Sequence, residues 1–492
     1  MPGADHFQTA IRRSVTVLRA DLVRAANRKL DVLLRLRNAR CLVSGGTGRI
    51  RVVFPTDCGP VSAFEALASR WRRKPFSGRG MLKPAIRSLW SSPALRVAAG
   101  YSFAGAAFAG AMLLLARALP KPEFGLLGLV VTILNLTSRT APLGTDGIVI
   151  RNRMDPGPGL LGRLLITATV FGIVVTFFCW LIYELDLLVL ALILIGTVAG
   201  AASFVAASQF QAYERFGLAL FLDQGTNLVL LLAAAGALVF HMTEALIPIA
   251  MFTGGFCLTA LLGWALLLRA RESGPSSGAE FDWREAISFW GVAGGALFLH
   301  HLDRLMTPEL LSFEALATFN VLAAVVGAPF HMLQLGVGFT LFPQLRREDD
   351  RAGRRRLIRR EGAVTAIAYT GAASLLLVAT PWIVRLFVGD KYVLPTSLIV
   401  AALFLGLVRL LSSYAKTIVK AIGTTADLVK LNVFSWFSIA LAAGGAAVGA
   451  TWGLEGLMYG IAIGWIGHSV AGFMLGAKHL TDRFDIRKEP IK

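Results

Sequence analysis

Four residues that can carry charge or bind ions crowd into one short segment of the chain. The segment "FLHHLDRLM", residues 298–306, contains His300, His301, Asp303 and Arg304. Imidazole and carboxylate groups hold metals and carry protons. On a helix, however, adjacent histidines point about 100° apart and do not chelate one ion together. We expect no metal here. Instead, Asp303 and Arg304 are predicted to pair or line a cleft mouth at a helix end, and His300 and Asp303 are candidates for carrying a proton.

Arginines inside apolar stretches form the second candidate group. Arg139 lies in "NLTSRTAPLG" and Arg409 in "LGLVRLLSSYAK". A charge at the centre of a membrane helix costs about 2.5–3.5 kcal/mol on insertion scales, so it faces water or a partner. A guanidinium matches phosphate geometry in a bidentate manner. We predict that both arginines line a water-filled cleft and attract an anionic head group; a structural ion pair is the alternative.

His331 and Gln334 form a third candidate group. They lie three residues apart in an apolar stretch, on a helical face that also carries Gly327 and Gly338. A histidine inside a membrane is either a hydrogen-bonded packing residue or a contact for substrate or protons. We keep His331 and Gln334 as candidates for substrate binding, and His331 as a candidate for ion coupling.

Two further polar pairs lie near the ends of apolar stretches. Asp223 and Gln224 come early in one stretch, and we interpret them as residues of the membrane interface. Lys416 and Lys420 follow Arg409 in another stretch, and we expect them on a solvated face near the end of their helix. None of these four is among the predicted binding residues.

The composition places all these residues in a membrane protein. Hydrophobic residues make up 55% of the 492 residues and charged residues 16%, against about 25% charged in soluble domains. The mean hydropathy is +0.64. The net charge of +19 is uneven, because residues 1–96 hold 19 of the 49 Lys/Arg and only 5 of the 30 Asp/Glu. The basic excess therefore forms no stripe on a folded face, and we predict no nucleic-acid partner.

Apolar segments alternate with short polar breaks from about residue 94 onward. A helix needs about 20 apolar residues to cross the hydrocarbon core. We predict twelve such spans, at residues 95–115, 124–144, 161–182, 186–208, 219–240, 246–268, 285–302, 316–342, 363–385, 394–412, 429–450 and 453–475. The fold class is therefore an all-α polytopic membrane protein.

An internal repeat divides the spans into two lobes of six. Residues 101–127 and 287–316 share a Ser-Phe start, glycines at similar offsets, and an arginine turn followed by a glutamate. Parallel repeats of this kind build transporters around a central cleft. The predicted domains are a basic extension at 1–90, an N-lobe at 91–270, a linker at 271–284, a C-lobe at 285–476 and a tail at 477–492.

The loops predict the orientation of the spans. With a cytosolic N-terminus, the outer loops carry five Lys/Arg and the inner loops beyond the extension carry 23, eight of them in residues 346–360. Basic loops stay in the cytosol, so both termini are predicted to be cytosolic.

The extension has two interpretations. Ile11, Val15, Leu18 and Leu22 are spaced as on a basic amphipathic helix, which would lie on an anionic membrane surface. Alternatively, translation starts at Met81 and residues 1–80 are upstream sequence.

The loops also argue against an enzyme. The longest have about 15–20 residues, and the chain contains no HExxH, GxSxG or complete phosphate-binding loop. The sequence predicts a protein that moves a substrate rather than converting it. No cofactor is expected, although H⁺ or Na⁺ coupling through Asp303, His331 or His300 is a hypothesis.

Short motifs at the start of each half carry a family resemblance. Residues 113–151 combine an "AR.L.p.eFG" turn with an "lG.d..ivR" helix ending, through Ala116, Arg117, Leu119, Glu123, Phe124, Gly125, Leu143, Gly144, Asp146 and Arg151. Residues 302–321 and 384–395 add later motifs that include Phe319, Phe387, Gly389 and Tyr392. Over residues 90–475 the chain resembles the bacterial polysaccharide (O-antigen and exopolysaccharide) flippases. These belong to the multidrug/oligosaccharidyl-lipid/polysaccharide (MOP) exporter superfamily.

The resemblance implies a two-lobed bundle of about twelve helices around a central cleft that works by alternating access. It implies a lipid-linked oligosaccharide as substrate, the bacterial inner membrane as location, and membrane lipids, a polysaccharide polymerase and a chain-length regulator as partners. The cleft candidates are Arg139, Arg409, His331, Gln334, Asp303 and Arg304.

Several other functions stay open. Within the superfamily they are a multidrug/cation antiporter and a peptidoglycan-precursor flippase. Outside it they are a membrane-embedded polysaccharide polymerase or ligase and a non-transporting scaffold for polysaccharide assembly.

Overall fold

The computed structural model describes residues 93–480 apart from Arg153, Asp155, residues 271–280 and Asp349. Throughout these residues the chain forms helices and short connections, with no strand. The basic extension with its predicted amphipathic helix and Met81 lies outside the described residues. So do most of the predicted linker and most of the C-terminal tail.

The first half of the described chain contains six long helices and one short one. They are α1 (Pro93–Ala118), α2 (Lys121–Thr140), the short α3 (Thr145–Asn152), α4 (Pro158–Tyr183), α5 (Leu187–Ala212), α6 (Phe216–Val239) and α7 (Leu246–Ala270). Prolines occupy the first turns of α2 and α4, where a backbone N–H would have no acceptor within the helix.

The second half contains six further spans. They comprise α8 (Trp283–Leu310), α9 (Phe313–Leu322), a π-helical turn (Ala323–Gly327), α10 (Ala328–Arg347), α11 (Arg351–Val388), α12 (Thr396–Ile422), α13 (Thr425–Gly449) and α14 (Gly453–Ala477). Through the π-turn, α9 and α10 form one path across the bundle. Single 3₁₀ turns follow α11 at Gly389–Lys391 and α13 at Ala450–Trp452.

Each of the twelve predicted spans falls on one of these helical paths. Within the described residues, nine stretches are long and apolar enough to cross a membrane, or ten if α2 and α3, bent by 47°, count as one span. The stretch 425–477 is a hairpin of two helices. Helix α8, which carries the polar 300–304 segment, is 28 residues long but is not among the stretches that pass this test. We call the end of the bundle that holds the basic residues between positions 346 and 360 the basic end, and the opposite end the Lys391 end.

Glycines let helix backbones approach one another closely, as is common inside membranes. In the α13–α14 hairpin, Gly445 packs against Gly460 and Gly449 against Gly456, backbone to backbone. Any side chain at these positions would collide with a carbonyl group of the facing helix. The sequence of small residues therefore fixes this hairpin.

The two turns that the internal repeat relates contact each other across the lobes. Gly125, at the start of α2, packs against the backbone carbonyl of Phe313 at the start of α9. A Cβ at position 125 would overlap that oxygen. Because α1–α2 and α8–α9 begin the two halves, this contact lies where the repeat units meet.

Polar contacts join the lobes at both ends. At the Lys391 end, the Lys391 ammonium donates to the carbonyl oxygens of Ala116 at 3.0 Å and of Leu119. The Tyr183 hydroxyl donates to the Leu305 carbonyl oxygen at 2.7 Å. The basic end has the Arg151–Glu285 ion pair and the packing of Gly144 against Ala286.

Candidate functional site

An ion pair between α2 and α6 forms the first part of the site. The Nη2 atom of Arg139 lies 2.9 Å from Oδ1 of Asp223. Gln224 donates to the other carboxylate oxygen at 2.7 Å, and the Tyr101 hydroxyl of α1 donates to it at 3.2 Å. The Asp223 carboxylate thus accepts hydrogen bonds from side chains of three helices, α1, α2 and α6.

Arg139 remains reachable within this N-lobe cluster. Its guanidinium lies over the ring of Phe204 on α5, 5.0 Å from the centroid. The Arg139 side chain is 38% exposed, whereas that of Asp223 is 10% exposed. Asp146, at the start of α3, lies within electrostatic reach of Arg139 as well. The cluster therefore offers a fixed guanidinium whose open side can accept an anion.

A second ion pair, between α8 and α12, lies deep in the C-lobe. Arg409 pairs with Asp303 and also donates to the backbone oxygen of His300 at 3.4 Å. Its guanidinium lies over Trp465 of α14 at 5.6 Å. The side chains of Arg409 and Asp303 are 14% and 1% exposed. This pair joins three helices of one lobe and is largely closed to solvent.

Three histidines continue from the C-lobe pair. The His300 ring centroid lies 5.1 Å from that of His301 and 5.4 Å from that of His331 on α10. His331 hydrogen-bonds with Gln334 and is exposed, while His301 is buried with its Nδ1 unpartnered. The three histidines therefore extend from the buried Arg409–Asp303 pair to the exposed His331.

Arg304 has a different environment from its neighbour Asp303. Its Nε donates to Oδ1 of Asn320 on α9 at 3.2 Å, and its guanidinium lies over Phe319 at 5.8 Å. Across the described part of the chain it forms no ion pair, although the Asp303 charge acts on it. Arg304 is thus a cation without a dedicated carboxylate.

Electrostatic interactions link these groups across the two lobes. The positive charge of Arg139, in the N-lobe, acts on His301 and His331 in the C-lobe. The charges of Arg304 and Arg409 act on His331 from its own lobe. Cations from both halves therefore converge on one electrostatic region between the lobes.

The prediction that Asp303 and Arg304 pair at a helix end is wrong. Helix α8 continues to Leu310, because Thr307 returns a hydrogen bond to the Asp303 carbonyl oxygen and Pro308 is accommodated within the last turn. The polar residues end no helix, since Arg409 supplies the missing partner from another helix. Asp303 is fully buried rather than at a mouth.

The remaining sequence candidates fall into two groups. The structure brings His300, Asp303, His331 and Arg409 together and keeps Arg139 in the opposite lobe. Sequence reasoning missed the partners of the candidate residues, which are Asp223, Tyr101, Phe204, Asn320 and Trp465.

The sequence contained one signal for these partners: some apolar segments contain an arginine, and others contain an aspartate that could pair with it. In the described ranges no group of three or more metal-binding side chains converges.

No protein-family model and no curated protein matches the chain. Solved structures do. The inward-facing form of a multidrug resistance MATE family transporter of the MOP superfamily matches with TM-score 0.50 and 11% identity, over 77% of this chain and 94% of that one. Lipid II flippase MurJ in an inward closed conformation matches with TM-score 0.55 and 12% identity, over 78% and 86%.

A third match is a ligand-bound form of the MATE multidrug transporter DinF-BH, with TM-score 0.55 and 14% identity, over 83% of this chain and 98% of that one. Together the matches show that the chain shares its fold with multi-pass helical transporters and flippases. The chain has the fold of the MOP exporter superfamily, with about twelve transmembrane helices in two six-helix lobes around a central cleft. At these identities the likeness concerns the fold, and the fold predicted from the motifs is confirmed.

Proposed function

We propose that the protein is a flippase that moves a lipid-linked oligosaccharide across the bacterial inner membrane by alternating access. The observation that carries the proposal is the convergence of Arg139, Arg304 and Arg409 from both lobes. A polyprenyl-diphosphate anchor presents two phosphates, and guanidinium groups bind phosphate oxygens in a bidentate manner. A polysaccharide polymerase and a chain-length regulator would be its partners.

The charge balance of the cleft supports an anionic substrate. Asp223 and Asp303 are each matched by an arginine, and Arg304 has no carboxylate of its own in the described residues. An incoming phosphate would bind Arg304 and the open side of Arg139 first. Both aspartates would then hold the arginines in place without cancelling every positive charge.

The basic end is the proposed cytosolic face, because basic loops remain on that side. The substrate would enter there and leave at the Lys391 end. Release requires the lobes to separate at that end. The hydrogen bonds of Lys391 and Tyr183 would therefore break and re-form in every cycle.

Proton coupling is the proposed driving step. Protonation of Asp303 would remove its charge, weaken its hold on Arg409 and leave the guanidinium available to the substrate. The histidines offer a relay, since the ring of His331 is exposed and that of His300 lies between it and the buried pair. Export that is insensitive to proton ionophores would count against this step, and sensitivity to sodium ionophores would favour Na⁺ instead.

The direct test is Arg139→Ala in a strain that lacks the native gene. Surface polysaccharide should be lost while the protein remains in the membrane at wild-type level, because Gln224 and Tyr101 still donate to the Asp223 carboxylate once the guanidinium is removed. Arg385→Ala is the matched control, since Arg385 forms an Arg–Asp pair with Asp390 outside the cleft. Normal export by a well-inserted Arg139→Ala protein would refute the proposed role.

A multidrug/cation antiporter is the second candidate, and one observation favours it. Such antiporters need carboxylates in the bundle, and Asp303 is a deeply buried one, which the sequence had not indicated. Its arginine partner speaks against direct cation binding. Drug susceptibility separates the two candidates, because Asp303→Asn would sensitise cells to cationic drugs only if the protein exports them.

Transport of a peptidoglycan precursor is the third candidate, supported by the likeness of the fold to that of MurJ. Cleft cations would suit either diphosphate substrate. Rescue of a strain depleted of its lipid II flippase would identify this function. Failure to rescue, with restored surface polysaccharide, would favour the first proposal.

A further inference from the structure

A second basic cluster lies within the C-lobe, apart from the cleft between the lobes. Lys416 and Lys420 occupy successive turns of α12, toward the basic end. They line a cavity of ≈ 20 Å³ together with Asn432 and Ser435 of α13 and His468 of α14. Helix α8 closes the cavity through Ala296. Four helices of the lobe thus meet around one small polar space.

His468 is fixed and neutral in this cluster. It is 1% exposed, with Nδ1 2.6 Å from the Ser412 hydroxyl and Nε2 3.0 Å from the Ser435 hydroxyl. The Ser435 hydroxyl donates its single proton to the Leu431 carbonyl oxygen at 2.9 Å, so the Ser435 oxygen accepts a hydrogen bond from His468 Nε2–H. Ser412 then donates to Nδ1. The imidazole therefore cannot serve as a counter-ion for a lysine or accept its proton.

Among the residues that the structure describes, no carboxylate is paired with Lys416 or Lys420. No acidic residue lines the cavity, and Lys416 forms no hydrogen bond or ion pair with any residue that the structure describes. Asp427, at the start of α13, is already bound by Lys478, by His479 at 2.7 Å and by the Thr424 cap. Lys416 and Lys420 also repel each other. Lys416 is half-buried, and a nearby negative charge stabilises an ammonium that is partly removed from water.

The cavity wall has further unmet hydrogen-bonding capacity. The Asn432 amide oxygen is buried and has no partner. Turning this amide by 180° keeps its shape and presents an NH₂ donor in place of the oxygen. An anion in the cavity would then receive donors from Lys416 and Asn432, and the exposed Lys420 would give it a route from solvent.

The size of the space selects the class of anion. A volume of ≈ 20 Å³ admits one water-sized species and excludes a phosphate or a lipid head group. We propose that this cavity binds one small monovalent anion of the size of chloride. The anion holds α12 against α13 and α14 by neutralising Lys416. The site is independent of the proposed substrate, because it lies within one lobe.

The experiment uses the full chain in nanodiscs of phosphatidylcholine, and measures the thermal unfolding midpoint while chloride replaces gluconate at constant ionic strength. The midpoint should rise and saturate with chloride, and bromide should act in the same way. In Lys416→Met the half-saturating concentration should increase at least about tenfold, the factor that corresponds to 1.4 kcal/mol. Lys430→Met, an exposed lysine on α13, is the matched control and should behave as the wild type.

Three results would overturn the proposal. They are an equal midpoint in chloride and gluconate, an unchanged chloride dependence in Lys416→Met, and stabilisation only after an anionic phospholipid is added, which would assign the lysines to a lipid head group. If Lys416→Met does not fold, the test is instead to compare the binding of radioactive chloride to the wild type and to Lys420→Gln. Binding that is weakened by Lys420→Gln supports the site, and its absence from the wild type refutes it.

Discussion

The two lobes contain the same chemical pair in different surroundings. In the N-lobe, Arg139 and Asp223 are 38% and 10% exposed, and the arginine has an open side. In the C-lobe, Arg409 and Asp303 are 14% and 1% exposed, and the ring of Trp465 packs on the guanidinium. Exposure weakens an ion pair but leaves its cation available to ligands, whereas burial makes each charge depend on the other. For the proposed flippase, this difference favours substrate contact at Arg139 and conformational control at Asp303.

The largest effect should follow from breaking the buried pair on one side only. Asp303→Leu leaves Arg409 charged and unpaired inside the lobe, and such losses cost about 3–5 kcal/mol. We expect a strongly reduced thermal midpoint and a low level in the membrane. The double variant Asp303→Leu/Arg409→Leu should recover most of the stability, because no uncompensated charge remains. A double variant as unstable as the single one would show that the pair is not the cause.

The matching change in the N-lobe, Asp223→Asn, should lower the free energy of unfolding much less. Asp223→Asn keeps the shape of the side chain and two of its donors, and Arg139 can turn toward solvent. We expect a smaller loss of stability than in Asp303→Leu, because the partly exposed Arg139 guanidinium can be solvated once its partner is neutral. Export should change more than stability, since Arg139 loses the partner that orients it. A midpoint lowered as far as in Asp303→Leu would remove the distinction between the lobes.

The sequence predicts much of the fold and less of the site, for a physical reason. Apolar length marks each span. The majority of the helix ends could therefore be predicted to within a few residues. Periodicity shows which residues share a face, as with His331 and Gln334. It does not show which helix lies opposite, and Arg409 meets Asp303 across 106 positions of the chain.

The error at "FLHHLDRLM" has the same origin. A run of polar residues inside an apolar segment looks like a helix end when its partners are unknown. Once Arg409 pairs with Asp303, the same run is the interior of a helix that ends only at Leu310. A lone arginine in one apolar stretch and a lone aspartate in another are therefore better treated together than separately.

A smaller effect is expected at the contacts that join the lobes at the Lys391 end. Tyr183→Phe removes the hydrogen bond to the Leu305 carbonyl oxygen and keeps the ring. A net loss of about 0.5–1.5 kcal/mol per hydrogen bond would favour separation of the lobes at this end. Labelling of a cysteine introduced at this end should become faster while the unfolding midpoint changes little. Unchanged labelling would mean that Tyr183 does not hold the lobes closed.

The smallest effect should come from the most exposed pair. Arg385 and Asp390 lie 3.5 Å apart, with side chains 76% and 88% exposed. Water already solvates both charges, so Arg385→Ala should leave the unfolding midpoint and export unchanged. This pair extends the comparison to a third setting, in which burial is nearly absent and the residue types are the same. If Arg385→Ala were as harmful as Asp303→Leu, burial would not be what separates these pairs, and the roles assigned to Arg139 and Asp303 would lose their basis.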